Sequence, residues 1–219
     1  MDSAEKIRYT YADYANWDDK IRYELIDGVA YAMASPSRMH QKISGELYGR
    51  LWQFLRGKPC EAYHAPFDVR LNADSFDDII VQPDIFVVCD ESKHDGKSLK
   101  GAPDMVMEIL PPFNLRRDTV TKARLYRKAK VREYWIVDPN AKTVQTYILK
   151  NGSYTVRDYS FDDIIPVHVL KGCEINLADV FYDVIEPESE IRQKIIEALE
   201  ETGANDAQIA KVMGKLSMD

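Results

Sequence analysis

The sequence predicts a mixed α/β domain, and three observations carry this prediction. The dipeptide Asp27-Gly28 lies between two alternating apolar segments, which is the strongest short-range signal for a β-hairpin. Two longer segments place apolar residues at spacings of three and four, as amphipathic helices do. Short apolar runs rich in valine and isoleucine, typical of buried strands, lie between and after these segments. The chain of 219 residues is long enough to bury one substantial core.

The first part of the chain predicts a lead-in, a hairpin and a helix, in that order. Residues 10–20 form a short helix or an irregular lead-in, and residues 22–33 form the hairpin. The helix covers residues 35–58, where Ser35 or Ser37 supplies the N-cap. Helical spacing then places an inward stripe on His40, Ile43, Leu47, Leu51 and Phe54.

Strands and a second helix follow. Residues 64–71 and 77–88 are each predicted to form a strand, and the polar residues 92–103 are predicted to form a loop. Another strand covers residues 104–110 and is ended by two prolines. Residues 117–130 form the second helix.

The last third of the chain predicts more strands and then a change of character. Strands cover residues 132–138 and 143–149, and short strands and loops continue over residues 151–180. From there the composition becomes polar, acidic and helical. We therefore predict a main domain over residues 1–185 and a helical C-terminal tail over residues 186–219.

Composition excludes several classes of protein. With 45% hydrophobic and 30% charged residues, the chain is globular rather than disordered. No apolar stretch reaches the roughly 20 residues of a membrane helix, and no signal-peptide pattern is visible, so we expect a cytoplasmic protein without membrane contact. Cys60, Cys89 and Cys173 lie far apart in the chain. Their odd number and wide spacing argue against a disulfide framework and against a thiolate zinc site.

The net charge of -7 conceals one strongly basic segment. Residues 116–132, called the basic segment below, contain eight Lys or Arg residues and one Asp. Such a run is usually a solvated helix face. Beside a catalytic site it would instead contact the phosphate backbone of nucleic acid, and its binding would then be salt-dependent and largely non-specific.

Two carboxylates interrupt apolar strands. Asp84 lies in the apolar run of residues 79–88, where a lone buried charge would cost several kcal/mol, roughly. Glu108 has a similar place near the end of its own strand. If the two strands are neighbours, the carboxylates converge, and a shared proton or a divalent cation would relieve their repulsion. Oxygen ligands without thiolates favour a hard cation, Mg²⁺ or Mn²⁺.

The second helix and the first helix add further candidates. Lys122 is the residue of the basic segment predicted to point inward, because it shares a stripe with Asp118, Leu125 and Tyr126. A lysine beside two carboxylates can stabilise charge on a phosphoryl group or position a water. His40 could add a base or a phosphate contact. Glu24 and Glu46 are weaker candidates.

Each candidate also has a structural explanation. Asp84 could be a bulge residue after a proline, and Glu108 could be an exposed strand end. Asp118 could simply interact with the helix dipole, while Lys122 could extend past the apolar stripe to solvent. An inward histidine such as His40 is more often a hydrogen-bonded core residue.

Seven motifs spread over residues 9–150 carry a family resemblance. In chain order they are “YELIDGVAYAM”, “SPSRMHQKI”, “APFDVRL”, “VQPDIFVV”, “GAPDMVMEIL”, “RRDTVTKARLY” and “VREYWIVDP”. They resemble the Uma2 (Uma-two) family, a branch of the PD-(D/E)XK restriction-endonuclease-like superfamily. The resemblance implies a restriction-endonuclease-like mixed β-sheet flanked by helices, with a magnesium-dependent phosphodiesterase centre. It places the metal-binding acids on Asp84 and Glu108, and the motif histidine on His40.

The chain departs from the family pattern at two places. The superfamily's lysine normally follows the second acid by two positions, where this chain has Leu110, so the resemblance moves that role to Lys122. The family's Ser-Pro-Ser is replaced by Pro111-Pro112-Phe113, which removes a hydroxyl.

We therefore expect a metal-dependent endonuclease. Asp84 and Glu108 would hold Mg²⁺ or Mn²⁺, Lys122 would stabilise charge, and Asp118 and His40 would assist. The expected partner is nucleic acid, DNA before RNA, and a homodimer would suit cleavage of both strands. One alternative is a catalytically degenerate module of the same fold that binds nucleic acid or a protein. Another is a structural protein whose charges form a buried ion network.

Overall fold

The computed structural model describes residues 8–18, 21–73, 75–111 and 115–182, and from the tail residues 195–200, 203, 205, 208 and 212. For residues 115–119 it describes the backbone alone. The chain divides into two compact units, Met1–Tyr182 and Asp183–Asp219. Residues 195–200 of the second unit are helical. The domain boundary predicted at residue 185 stays a prediction.

Thirteen short strands, four α-helices and one turn of 3-10 helix at Glu91–Lys93 make up the first unit as described. The strands are β1 (Tyr23–Ile26), β2 (Val29–Ala32), β3 (Glu61–His64), β4 (Asp68–Arg70), β5 (Ile80–Val81), β6 (Ile85–Val88), β7 (Ser98–Lys100), β8 (Met105–Ile109), β9 (Glu133–Asp138), β10 (Thr143–Lys150), β11 (Ser153–Ser160), β12 (Ile164–Pro166) and β13 (Glu174–Asn176). The helices are α1 (Tyr11–Tyr14), α2 (Arg38–Leu55), α3 (Leu115–Lys128) and α4 (Leu177–Val180).

Two mixed sheets dominate this unit. One has the strand order β2-β1-β5-β4-β7 and the other the order β11-β10-β9-β8-β6-β3. The pairs β4/β7 and β8/β9 are parallel, and the other pairs of the two sheets are antiparallel. Helix α2 packs against β3 and β8. The predicted fold class, a mixed sheet architecture with flanking helices, is confirmed. Among the described residues, no helix has the length and apolarity needed to cross a bilayer.

The β1–β2 hairpin forms where the sequence predicts it. Ile26 pairs with Val29 across the turn. Asp27 and Gly28 have φ angles of 49° and 74°, so both central residues are left-handed, as a tight hairpin turn of type I′ requires. A side chain at Gly28 would also meet the Cβ of Arg8 at 2.9 Å. The Asp-Gly pair thus satisfies both the turn and the packing.

Helix α2 confirms most of its predicted stripe. The Ser37 side chain accepts a hydrogen bond from the His40 amide at 3.2 Å, so Ser37 is the N-cap. The buried stripe continues from the predicted residues to Leu55, whereas Phe54 is half-buried and contacts the Lys58 ammonium. Three turns of leucine and isoleucine therefore anchor the helix that carries His40.

The single strand predicted over residues 77–88 is wrong. The segment forms β5 in one sheet and β6 in the other, with a break at residues 82–84. Pro83 lacks the amide hydrogen that would continue the β-ladder, so the chain leaves the first sheet there. Asp84 consequently lies at the crossing between the two sheets rather than inside a strand.

The prediction of a loop throughout residues 92–103 is also wrong in part. This stretch contains β7, which pairs in parallel with β4, and Ser98 and Leu99 are buried. A strand of three residues is too short to show an alternating pattern in the sequence.

Cys60 and Cys89 form a disulfide bond, which the sequence analysis argued against. Glu61 pairs with Val88 in the antiparallel β3–β6 register, so one step further places the two cysteines opposite each other. Spacing along the chain could not reveal this, because the bond depends on the register of two strands. Cys173 is buried as a free thiol.

We expect the Cys60→Ser variant to unfold more easily than the wild type. The bond closes a loop with a sequence separation of 29 residues, and its loss should lower the free energy of unfolding by about 2–4 kcal/mol. Denaturant unfolding with and without a reducing agent measures the effect. Reductant should destabilise the wild type and leave the stability of Cys60→Ser unchanged. Equal stability of the wild type and the variant without reductant would contradict the prediction.

Candidate active site

Asp84 and Glu108 lie opposite each other at the end of two neighbouring strands. The antiparallel register of β6 and β8 pairs Ile85 with Met107, and one further step brings Asp84 across from Glu108. The strands are therefore neighbours, which is the condition under which the two carboxylates converge. Glu108 is buried, and its side chain is 11% exposed.

Two polar groups hold the Asp84 side chain. Its Oδ2 accepts a hydrogen bond from the Ile109 amide at 2.7 Å and lies 3.1 Å from His40 Nε2. His40 Nδ1 is buried and has no hydrogen-bond partner among the described residues. The carboxylate is thus fixed by a backbone group of β8 and by the first turn of α2. These two groups and the strand break explain how the charge of Asp84 is tolerated in an apolar run.

Glu108 is held by the second helix of the site, α3. The Tyr126 hydroxyl donates to its Oε1 at 2.5 Å, and Lys122 Nζ lies 3.3 Å from the same oxygen. Burial raises the pKa of Glu108 to about 8, and the nearby carboxylates of Asp84 and Glu24 add to this, although Lys122 and Tyr126 oppose it. Near neutral pH this carboxyl therefore keeps a proton that a divalent cation could displace.

Glu24 is the site residue that the sequence analysis ranked too low. It comes from β1, in the other sheet, and its Oε1 lies 2.9 Å from Lys122 Nζ. The same oxygen accepts the Gln82 amide at 2.9 Å. The alternation of side chains along a strand places Glu24 and the fully buried Leu25 on opposite faces of β1, which predicts an exposed Glu24. Both faces of β1 are covered, so Glu24 is buried as well. Glu46, the other weak candidate, instead pairs with Arg50 one turn along α2.

Lys122 lies between two acids and does not extend to solvent. Its side chain is 13% exposed. Burial alone would lower the pKa of Lys122, but the charges of Glu108 and Glu24 outweigh burial and raise this pKa above its usual value. The lysine therefore keeps its positive charge. It is held between one acid of each sheet, which fixes its position as well as its charge.

The rest of α3 agrees with the predicted stripe where it is described. Leu125 and Tyr126 are buried, whereas Arg124, Arg127 and Lys128 are exposed. The backbone of Asp118 belongs to the helix, but its side chain lies outside the described residues, so its role stays a prediction.

The candidate site lies in one cleft of about 1400 Å³. Its lining includes the three acids, His40, Lys122 and Tyr134, whose buried hydroxyl has no partner among the described residues. Three acids around one lysine leave an excess of negative charge, which a cation would neutralise. Among the described residues, no group of three or more His, Cys, Asp or Glu side chains is arranged to hold a metal ion. Asp84 and Glu108 would supply two carboxylate ligands, and a hard cation held there would take its remaining ligands from water or substrate oxygens.

The family model for Uma2, described as “Putative restriction endonuclease”, matches residues 11–178. The chain belongs to the Uma2 family. This match spans the whole site, from Glu24 to Tyr134, and ends before the acidic tail. The recognition made from the seven motifs is confirmed.

Two further proteins are similar to this Uma2 chain. The “Uncharacterized protein slr1290” of Synechocystis sp. is 26% identical over 176 residues, which cover 78% of this chain and 89% of that protein. The crystal structure of “a putative nuclease belonging to DUF820” from Anabaena variabilis aligns with a TM-score of 0.64 at 20% identity. It covers 81% of this chain and 99% of that chain. At this identity the likeness establishes a shared fold.

Proposed function

We propose that this Uma2 protein is a metal-dependent endonuclease that hydrolyses phosphodiester bonds of nucleic acid, DNA before RNA. The observation that carries the proposal is the buried, charged Lys122 held between Glu24 and Glu108, next to Asp84, in a large open cleft. Family membership supports the same reaction class.

Two carboxylates and a lysine suit phosphodiester hydrolysis because the reaction builds negative charge on phosphoryl oxygens. Asp84 and Glu108 would hold Mg²⁺ or Mn²⁺. When bound, such a cation polarises the phosphoryl group and makes a bound water more acidic. Lys122 contributes a second positive charge that needs no reorganisation, since Glu24 already fixes it.

The remaining residues position these three. The Tyr126 hydroxyl fixes one oxygen of Glu108, and the Ile109 amide fixes one oxygen of Asp84. His40 Nε2 lies against the same oxygen of Asp84 as the Ile109 amide, and in this proposal it assists by holding that carboxylate in place. Asp118 is proposed to assist from the first turns of α3.

The size of the cleft favours a polymer as the substrate. Pockets for small ligands have volumes of about 300–1,000 Å³, whereas this cleft measures about 1400 Å³. Several nucleotides can therefore enter together. Exposed cations of the basic segment, such as Arg124 and Lys128, would contact the phosphate backbone outside the cleft.

We expect Mn²⁺ and Mg²⁺ to raise the unfolding temperature, and to do so more strongly at high pH. The pKa of Glu108 is about 8 in the folded chain, against 4.5 for an ordinary glutamate. Between these two pH values the folded state therefore binds more protons than the unfolded state. Without metal, its contribution to stability therefore falls as the pH rises through this window. A cation at about 100 times its dissociation constant would add about 2.7 kcal/mol, and it competes with the proton.

Thermal unfolding with metal or chelator, at about pH 6 and about pH 9, checks this expectation. The same samples are tested for cleavage of supercoiled plasmid and of labelled strands. A metal shift without cleavage on any substrate would favour the degenerate, non-catalytic module, which the Pro111-Pro112-Phe113 departure also favours. No shift and no cleavage would leave the buried ion network.

A further inference from the structure

One face of the β1–β2 hairpin forms a wall of the cleft. Glu24 pairs with Tyr31, and the Met33 amide bonds to the Arg22 carbonyl at 2.8 Å, so Arg22 lies across from Met33. Paired residues share a face, and so do residues two apart on a strand. Arg22, Glu24, Tyr31 and Met33 therefore lie on the same side, and all four line the cleft. Arg22, Tyr31 and Met33 are called the hairpin face below.

Tyr31 is an exposed aromatic residue of the cleft lining. It is 51% exposed on the edge strand β2. Its pairing partner Glu24 contacts Lys122 directly, so the ring lies one strand away from the proposed catalytic lysine. The proposed chemistry does not use this ring, and no described side chain stacks on it.

Arg22 is a half-buried cation that has no acidic partner among the described residues. Within the described residues, no carboxylate lies within ion-pair distance of its guanidinium, while Glu24 on the same face is occupied by Lys122. A guanidinium in this situation can bind phosphate oxygens with two parallel hydrogen bonds. The hairpin face thus presents a phosphate-binding group and an aromatic ring on the same side of the hairpin as Glu24.

We infer that the hairpin face binds an unpaired nucleic-acid strand next to the scissile phosphate. This inference rests on the proposed function and narrows its substrate class. The Arg22 guanidinium contacts a backbone phosphate, and a base stacks on the Tyr31 ring. A duplex offers only base edges in its grooves, whereas a single strand or an unpaired end offers the face of a base.

Binding measured in calcium provides the test. Calcium occupies oxygen-ligand sites, so the acids can be neutralised in the absence of magnesium and manganese. Fluorescence anisotropy compares a labelled single strand with the matching duplex, over a range of salt concentrations. The variants are Tyr31→Ala, Tyr31→Phe and Arg22→Ala. Matched controls outside the cleft lining are Phe161→Ala, which removes a 54% exposed aromatic ring, and Arg157→Ala on β11.

Tyr31→Ala should weaken single-strand binding about 10-fold or more and change duplex binding little. Tyr31→Phe should bind like the wild type, since it keeps the ring. Arg22→Ala should weaken binding and reduce its salt dependence by about one phosphate contact. The two controls should match the wild type, and unchanged unfolding temperatures would establish that the variants are folded.

Three results would overturn the inference: wild-type binding by Tyr31→Ala, an equal loss on duplex and single strand, or an equal loss in Tyr31→Phe. The proposed function is tested separately, by cleavage in magnesium or manganese. Stacking-dependent binding without cleavage would preserve this inference and reject the endonuclease. If the wild type cleaves but Tyr31→Ala still binds the single strand normally, the endonuclease is supported and this inference is rejected.

Discussion

The Asp84→Asn variant should lose metal-dependent cleavage by at least about 10²–10³-fold. Asparagine has the shape of aspartate and keeps an oxygen that can accept the Ile109 amide hydrogen, which now bonds to Asp84 at 2.7 Å. The variant therefore removes charge while it leaves the local hydrogen bond in place. The loss should appear in the rate of the chemical step, since the carboxylate is proposed to act on the reacting phosphate through the cation it holds.

Single-turnover cleavage of supercoiled plasmid and labelled single strands, with manganese, magnesium or chelator, measures this loss. Asp104→Asn is a matched control. Asp104 also accepts a backbone amide, from Cys89 at 2.8 Å, and pairs with Arg132 at 2.8 Å, yet it does not line the cleft. Asp104→Asn should cleave like the wild type. Full activity of Asp84→Asn, or wild-type cleavage that persists in chelator, would refute the proposed role of Asp84.

The pair Asp84 and Glu108 could be found from the sequence because each acid interrupts an apolar run of residues. Burial makes such a charge conspicuous, and one cation can explain two of them. Lys122 could be found in the same way, from its place on the apolar stripe of α3. These predictions needed only the local periodicity of one segment at a time.

Features that depend on the pairing of distant segments could not be found in this way. Glu24 belongs to the five-stranded sheet and approaches Lys122 of α3 from a distant part of the chain. The Cys60–Cys89 bond likewise depends on the β3–β6 register. Tyr31 resembles any edge-strand tyrosine until its pairing with Glu24 is known. In each case the deciding fact is how two distant segments meet, which a pattern within one segment does not contain.

The Lys122→Met variant should lose both stability and activity. Methionine keeps the length of the side chain but removes the charge that lies 2.9 Å from Glu24 and 3.3 Å from Glu108. Breaking a buried ion pair from one side costs about 3–5 kcal/mol, because the remaining charges are left uncompensated. Cleavage should fall by about 10²–10³-fold, as expected when one preorganised positive group is removed.

A second substitution separates the two effects. In the double variant Lys122→Met/Glu24→Gln, the acid paired with the lysine is neutral, and the glutamine oxygen can still accept the Gln82 amide. Glu108, whose pKa is already raised to about 8, can remain protonated near neutral pH. We therefore expect the double variant to recover much of the lost stability without recovering cleavage. The exposed Lys150→Met change on β10, outside both the cleft lining and the basic segment, serves as the control and should affect neither quantity.

Unfolding free energies and single-turnover cleavage rates of the four proteins decide between a catalytic and a structural lysine. If Lys122 only balances the two buried acids, activity should return together with stability in the double variant. The buried ion network would then explain its position, and the endonuclease proposal would lose its second positive charge. If stability returns alone, the charge itself is needed for the reaction, since the fold, the acids of the metal pair and the cleft are all retained.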